Sequence, residues 1–180
     1  MKTRCGQETF RVLVSPPRRL AMPARSAGIV LYRRSGTVGL EVLLVHPGGP
    51  LWARRDAGVW SIPKGEFADD EDPAAAARRE FAEELGSPAP KDLPVDLGEV
   101  RQRGGKRVRA WGAPGNLDAS AIRSNTFALE WPPRSGRISE FPEVDRAQWF
   151  TLAQAGERIV DAQRALLERL ATALGIEPES

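Results

Sequence analysis

The chain has 180 residues, 41% hydrophobic and 28% charged, with a formal net charge of +2. That length suits one domain with a sizeable core, and so small a net charge does not by itself argue for nucleic acid; a small anionic substrate fits as well. The single cysteine, Cys5, excludes an internal disulfide and a thiolate metal cluster and points to a reducing, cytoplasmic compartment.

Residues 1–25 join "FRVLV" to the turn- and charge-rich "SPPRRLAMPAR" and read as a disordered tail ahead of a domain over 26–176. Met22, just before the first convincing strand, is a candidate alternative start. No apolar run approaches the roughly 18 residues of a membrane span, and the N-terminus lacks a signal peptide's continuous apolar stretch. "AGIVLYRR" (27–34) and "LEVLLVHP" (40–47) are β-branched apolar runs that predict a hairpin across "SGTVG". A Gly/Pro/Trp-rich loop follows over 48–65, with a short strand expected at "VWSIP". A helix is predicted from Pro73 to Leu85. Residues 95–103 and 106–114 read as a second hairpin around Gly104 and Gly105, and 125–131 as a strand. "PPRSGRISEFPEVD" reads as a loop and "AQWF" as a short strand. A closing helix over about 157–174 places Ile159, Ala162, Leu166, Leu167 and Leu170 at helical spacing. Strand clusters with one central and one closing helix predict a compact α/β sandwich around a mixed sheet.

The central helix carries the chemistry. Asp72 can cap it, Pro73 suits its first position, and Gly86 suits a left-handed ending. Ala77, Phe81 and Leu85 recur every four residues and would face the core. Glu80, Glu83 and Glu84 share another stripe, where like charges cost a few tenths of a kcal/mol per pair and oppose the helix dipole. Such a stripe is either a solvated acidic face moderated by Arg78 and Arg79 or a set of oxygen ligands for a hard divalent cation.

These residues sit within a longer pattern. Gly65, Glu71, Arg79-Glu80, Phe81, Glu83-Glu84 and Gly86 follow G-x5-E-x7-R-E-U-x-E-E-x-G-U, where U is a bulky aliphatic. This stretch resembles the signature of the Nudix hydrolases. Phe81 is aromatic at the first U and Ser87 replaces the last; both are packing positions, and every polar and glycine position matches. The resemblance implies an α/β/α sandwich with a loop-helix-loop metal site, acting with Mg²⁺ or Mn²⁺ as a pyrophosphohydrolase. It implies Glu83 and Glu84 as main ligands, Glu80 as a third, and the Gly65 carbonyl as a further donor. It also implies that Arg79 orients a carboxylate and that Glu71 braces the loops. The general base is then either a signature glutamate, Glu80 or Glu83, or a carboxylate from a later loop; Glu140 is the candidate late ligand or base, with Glu143 in the same loop and Glu130 weaker.

The lead-in "WSIPKGE" (60–66) resembles the diadenosine polyphosphate and diphosphoinositol branches of that family. The expected substrate is therefore a nucleotide or polyphosphate, with a dinucleoside polyphosphate first. Oxidised nucleoside triphosphates, RNA 5′ ends and a non-catalytic nucleotide sensor are alternatives. Lys64 is a candidate phosphate contact, Trp52 a stacking platform, and Arg54 and Arg55 phosphate partners. Lys106, Arg107, Arg109, Arg134 and Arg137 could add a basic rim, while His46 reads as structural. No DNA-binding motif or basic amphipathic helix is visible, so neither DNA nor membrane is an expected partner.

Overall fold

The computed structural model describes residues 24–36 and 39–176. The predicted tail up to residue 23, Met22 included, lies outside them. Among the described residues there are eight strands: β1 (Arg25–Ser35), β2 (Gly39–Pro47), β3 (Lys64–Glu66), β4 (Val95–Arg101), β5 (Arg107–Pro114), β6 (Thr126–Glu130), β7 (Ile138–Pro142) and β8 (Val144–Thr151). The helices are α1 (Pro73–Leu85), α2 (Leu152–Arg158) and α3 (Arg164–Ala173).

The main sheet runs β4-β5-β1-β2-β8, with β3 also on β1. β1 and β5 are parallel, and the remaining pairs in this sheet are antiparallel, so the sheet is mixed. β1 is central and covered on both faces, hence its near-continuous apolar run. Alternation sorts its side chains: Ile29 and Leu31 join α1, whereas Val30 and Tyr32 join the α2–α3 side. The result is the α/β/α sandwich expected.

β1 splits its partners along one edge. Its far half pairs with β2, while Ser26, Ala27 and Gly28 pair with β3. Ile29 N–H donates to Pro63 O at 3.1 Å at the junction. This leaves Lys64-Gly65-Glu66 at one end of the sheet, against α1.

α1 has the boundaries its sequence announces. The Asp72 carboxylate accepts from Ala75 N–H at 2.8 Å, and Gly86 is left-handed at φ 67°. Its buried face is Ala76, Ala77, Phe81 and Leu85. Burying a side chain such as Phe81 contributes about 1.5–3 kcal/mol, against a few tenths for each repelling glutamate pair. Packing therefore holds the acidic helix in place.

The structure corrects the predicted elements in four places. "VWSIP", read as a short strand, forms only isolated bridges at Trp60 and Ser61, and the strand follows at Lys64–Glu66. "ISEFP", read as loop, is β7, paired with β6 as a separate two-stranded sheet. The last strand begins at Val144, well before "AQWF". The closing helix is broken into α2 and α3. Val160 N–H donates to Trp60 O at 2.8 Å and Ile159 bridges Trp60, so the chain turns extended there to meet "VWSIP".

Candidate active site

The carboxylates of α1 converge with β3 and the loop before the helix. Arg79 is the hub. Its guanidinium donates to both Glu71 oxygens (2.9 and 3.1 Å), to Glu80 Oε1 (2.6 Å) and to Glu66 O (3.2 Å), and lies 3.4 Å from Glu83 Oε2. These bonds hold Glu71 below the usual carboxylate range and push Arg79 up. Glu84 Oε2 accepts from Lys64 N–H at 3.0 Å. A Cβ built on Gly65 would overlap the Glu80 carboxylate, the movable end of that side chain, so glycine here leaves the carboxylate its place beside β3.

Burial and crowding govern the electrostatics. Burial pushes Glu84 up to about 7; Lys64 opposes this, while Glu80 and Glu143 add to it. Burial also raises Glu80, Arg79 pulls it down, and Glu83 and Glu143 push it up again. Burial lowers Lys64, partly countered by Glu84. Carboxylates held at such a disadvantage are short of positive charge. Among the described residues, no group of three or more His, Cys, Asp or Glu side chains is arranged to hold a metal ion. Arg79 and Lys64 are the cations that now face these glutamates.

The opposite wall comes from distant segments. Gly48 N–H donates to Glu143 O (2.9 Å), Glu143 N–H to Asn125 O (2.8 Å), and Asn125 N–H to Glu83 O (3.2 Å). Glu143 is thus the late carboxylate whose field reaches Glu80 and Glu84. Glu140 is exposed on β7, across from Ala128. Glu130 is spent within its own hairpin, accepting from Gly136 N–H at 2.7 Å. Nothing in the spacing of "SEFPEVD" separates Glu140 from Glu143; the backbone ties do.

The loop over 48–58 borders this wall. Trp52 N–H donates to Gly49 O (3.3 Å) and Arg55 N–H to Trp52 O (2.8 Å), so the loop is a run of turns. Trp52 is 36% exposed, with the Arg55 guanidinium 5.5 Å from its ring centroid. Arg54 is exposed beside it. Phe127 of β6 closes over Gly49 and meets Phe141 of β7 at 6.2 Å. This aromatic pair depends on the β6–β7 pairing, which the sequence of "ISEFP" does not announce. Arg134 and Arg137 are exposed at the tip of the β6–β7 hairpin.

The basic rim is largely paired. Lys106 meets Glu66 (2.9 Å), Arg107 meets Glu99 (3.3 Å) and Arg109 meets Asp96 (2.5 Å). His46 is fully buried between Asp145 and the Arg55 carbonyl.

A helix that gathers glutamates around one arginine, on an α/β/α sandwich, is the arrangement that the sequence's resemblance to the Nudix class implies. The NUDIX domain model matches residues 22–170, and the chain belongs to that family. An RNA pyrophosphohydrolase of Gluconacetobacter diazotrophicus is 30% identical over 159 residues, covering 81% of this chain and 87% of that protein. One from Acidiphilium cryptum is 31% identical over 167 residues, covering 84% and 90%. Among solved structures, the C. elegans Ap4A hydrolase binary complex superposes with a TM-score of 0.59 at 23% identity, covering 83% of this chain and 98% of that one. The protein is a Nudix pyrophosphohydrolase. No helix among the described residues is long and apolar enough to cross a membrane.

Proposed function

We propose that the protein hydrolyses a pyrophosphate bond in a nucleoside diphosphate-linked substrate, with a dinucleoside polyphosphate such as diadenosine tetraphosphate the first choice. The observation that carries this reading is the convergence of Glu80 and Glu83 on Arg79 with Glu84 held against the Lys64 N–H, Glu143 acting on Glu80 and Glu84, and an exposed tryptophan turn alongside.

The residues fit a hard divalent cation, Mg²⁺ or Mn²⁺. Glu80, Glu83, Glu84 and the Gly65 carbonyl offer oxygen donors, and burial with mutual repulsion raises Glu80 and Glu84 above the usual carboxylate range, a cost that a cation would offset. Such an ion supplies charge neutralisation on the phosphate oxygens and a more acidic attacking water. Arg79, braced by Glu71, keeps Glu80 and Glu83 aligned. Lys64 meets a phosphate oxygen as a point charge. Trp52 stacks a base, with Arg54 and Arg137 at the phosphate rim. Glu143 takes the proton of the attacking water, because its main chain is pinned to Asn125 and Gly48 and its charge already acts on Glu80 and Glu84. Glu140 is the second candidate for that role.

A 5′-triphosphorylated RNA end is the second substrate reading, favoured by the two RNA pyrophosphohydrolases that the chain resembles along most of its length. Oxidised nucleoside triphosphates follow. A non-catalytic sensor would be free to lose the glutamates, and this chain keeps them all.

The test is hydrolysis of diadenosine tetraphosphate, triphosphorylated RNA and oxidised deoxyguanosine triphosphate, with magnesium and with chelator. Glu83→Gln should lower turnover of the best substrate by more than about 100-fold. Unchanged turnover would remove Glu83 from the ligand set, and tight nucleotide binding without turnover of any substrate would favour the sensor.

A further inference from the structure

His46 is the only histidine and has no exposed surface. Its ring bridges two acceptors. Nδ1 lies 2.7 Å from Asp145 Oδ1, and Nε2 lies 2.8 Å from the main-chain oxygen of Arg55. A carbonyl oxygen only accepts, so Nε2 must carry a hydrogen. An ionised carboxylate only accepts, so Nδ1 must carry one too. A neutral imidazole has a single N–H, and the geometry therefore calls for the doubly protonated ring.

The surroundings balance that charge without replacing either bond. From β8, Asp145 faces the ring, and Arg146 lies 3.5 Å from that carboxylate. Trp60 meets the imidazole edge-on at 5.1 Å and donates to Asp56 Oδ1 at 3.0 Å. Arg158 of α2 pairs with Asp56. Arg146 also sits over the Trp60 ring, 5.3 Å from its centroid.

The position of these bonds matters. The 48–58 loop is held at one end where Gly48 N–H meets Glu143 O, and farther along where Arg55 O meets His46. Trp52 lies between the two points, tied to Gly49 on one side and to Arg55 on the other.

We propose that His46 is a positioning residue for substrate: a doubly donating ring that fastens Arg55 of the loop to Asp145 of β8 and so fixes Trp52 relative to the α1 carboxylates. The inference rests on the reading that this loop binds substrate. The fixed loop lowers the entropy lost when a nucleotide docks, so the effect belongs in KM and much less in kcat.

Steady-state kinetics on the best nucleotide substrate test this. Asp145→Ala removes one acceptor at a partly exposed position, and His46→Gln removes the two-ended bridge. Each should raise KM about tenfold, the size of one charge-assisted hydrogen bond, with kcat changed far less. Asp145→Asn should restore most of the lost affinity, because its amide can pair with either protonation state of Nδ1. Nitrogen-15 spectra of the wild-type ring should show a hydrogen on both nitrogens. If His46→Gln does not fold, Asp145→Ala and the spectra still decide. A ring with one N–H, or an Asp145→Ala protein that loses kcat with KM unchanged, would overturn the proposal. Trp52→Ala separates the two levels. If it raises KM while Asp145→Ala does not, positioning by His46 fails and the loop reading stands. If Trp52→Ala leaves KM unchanged, the loop reading fails and takes this proposal with it.

Discussion

Glu84→Gln should make the cation-free protein more stable and less active. Burial raises Glu84 from the usual 4.5 to about 7. A carboxyl raised in this way binds its proton more tightly folded than unfolded. Its contribution to stability is whole below about pH 4.5 and is lost as the pH rises through about 7. Above that, the folded chain carries a buried carboxylate. At about 1.4 kcal/mol for each tenfold difference in proton affinity, the cost approaches about 3 kcal/mol. Glutamine keeps an acceptor for the Lys64 N–H and carries no charge, but Lys64 then loses its opposite charge. The expected net gain is therefore about 1–2 kcal/mol at about pH 9. For a chain of this size that is a rise of about 2–8 °C in Tm. Urea and thermal unfolding in chelator should show the two proteins nearly equal at about pH 5 and separated at about pH 9. Added magnesium should stabilise wild type more than the variant, narrowing the gap by mass action. A Glu84→Gln protein less stable than wild type at high pH in chelator would mean that the Glu84–Lys64 attraction outweighs the burial cost. The reasoning from burial would then be wrong.

Glu143→Gln should lower kcat by about 100-fold with little change in KM, while Glu140→Gln should alter neither by more than about twofold. A loss confined to Glu140→Gln in steady-state kinetics would place the base on β7. Gly65→Ala should displace Glu80, because the new methyl overlaps its carboxylate. Calorimetry should then show weakened magnesium binding and turnover should fall, with helix content by circular dichroism retained.

Local chemistry made α1 legible. Its cap, its proline, its left-handed glycine and its four-residue apolar spacing all act within one helix. The mixed sheet followed from β-branched runs of adequate length. β7 escaped because "ISEFP" is half exposed, contains proline and becomes a strand only by pairing with β6. The closing helix broke because Trp60, about a hundred residues earlier, takes the main chain of Ile159 and Val160 into a bridge. Periodicity counts side chains and cannot register a main-chain partner so distant. The same limit explains the late carboxylate. Glu140 and Glu143 are neighbours in sequence, and only the ties to Asn125 and Gly48 distinguish them. His46 was readable as structural, but its partner Asp145 lies 99 residues away.

The hydrogen-bond relay from Gly48 through Glu143 and Asn125 to Glu83 has a consequence for how this protein can change. A helix normally leaves its last carbonyls to solvent. Here one of them is the mooring for the facing wall, so the gap between helix and wall is set by main-chain length. Side-chain substitutions along the relay should leave that spacing intact even where they remove chemistry, whereas inserting or deleting one residue near Asn125 or Glu143 would shift the two halves of the site apart. The tip of the β6–β7 hairpin lies outside the relay, with Arg134 and Arg137 exposed on it. New substrate preferences can accumulate there while the spacing of the reacting groups is inherited unchanged.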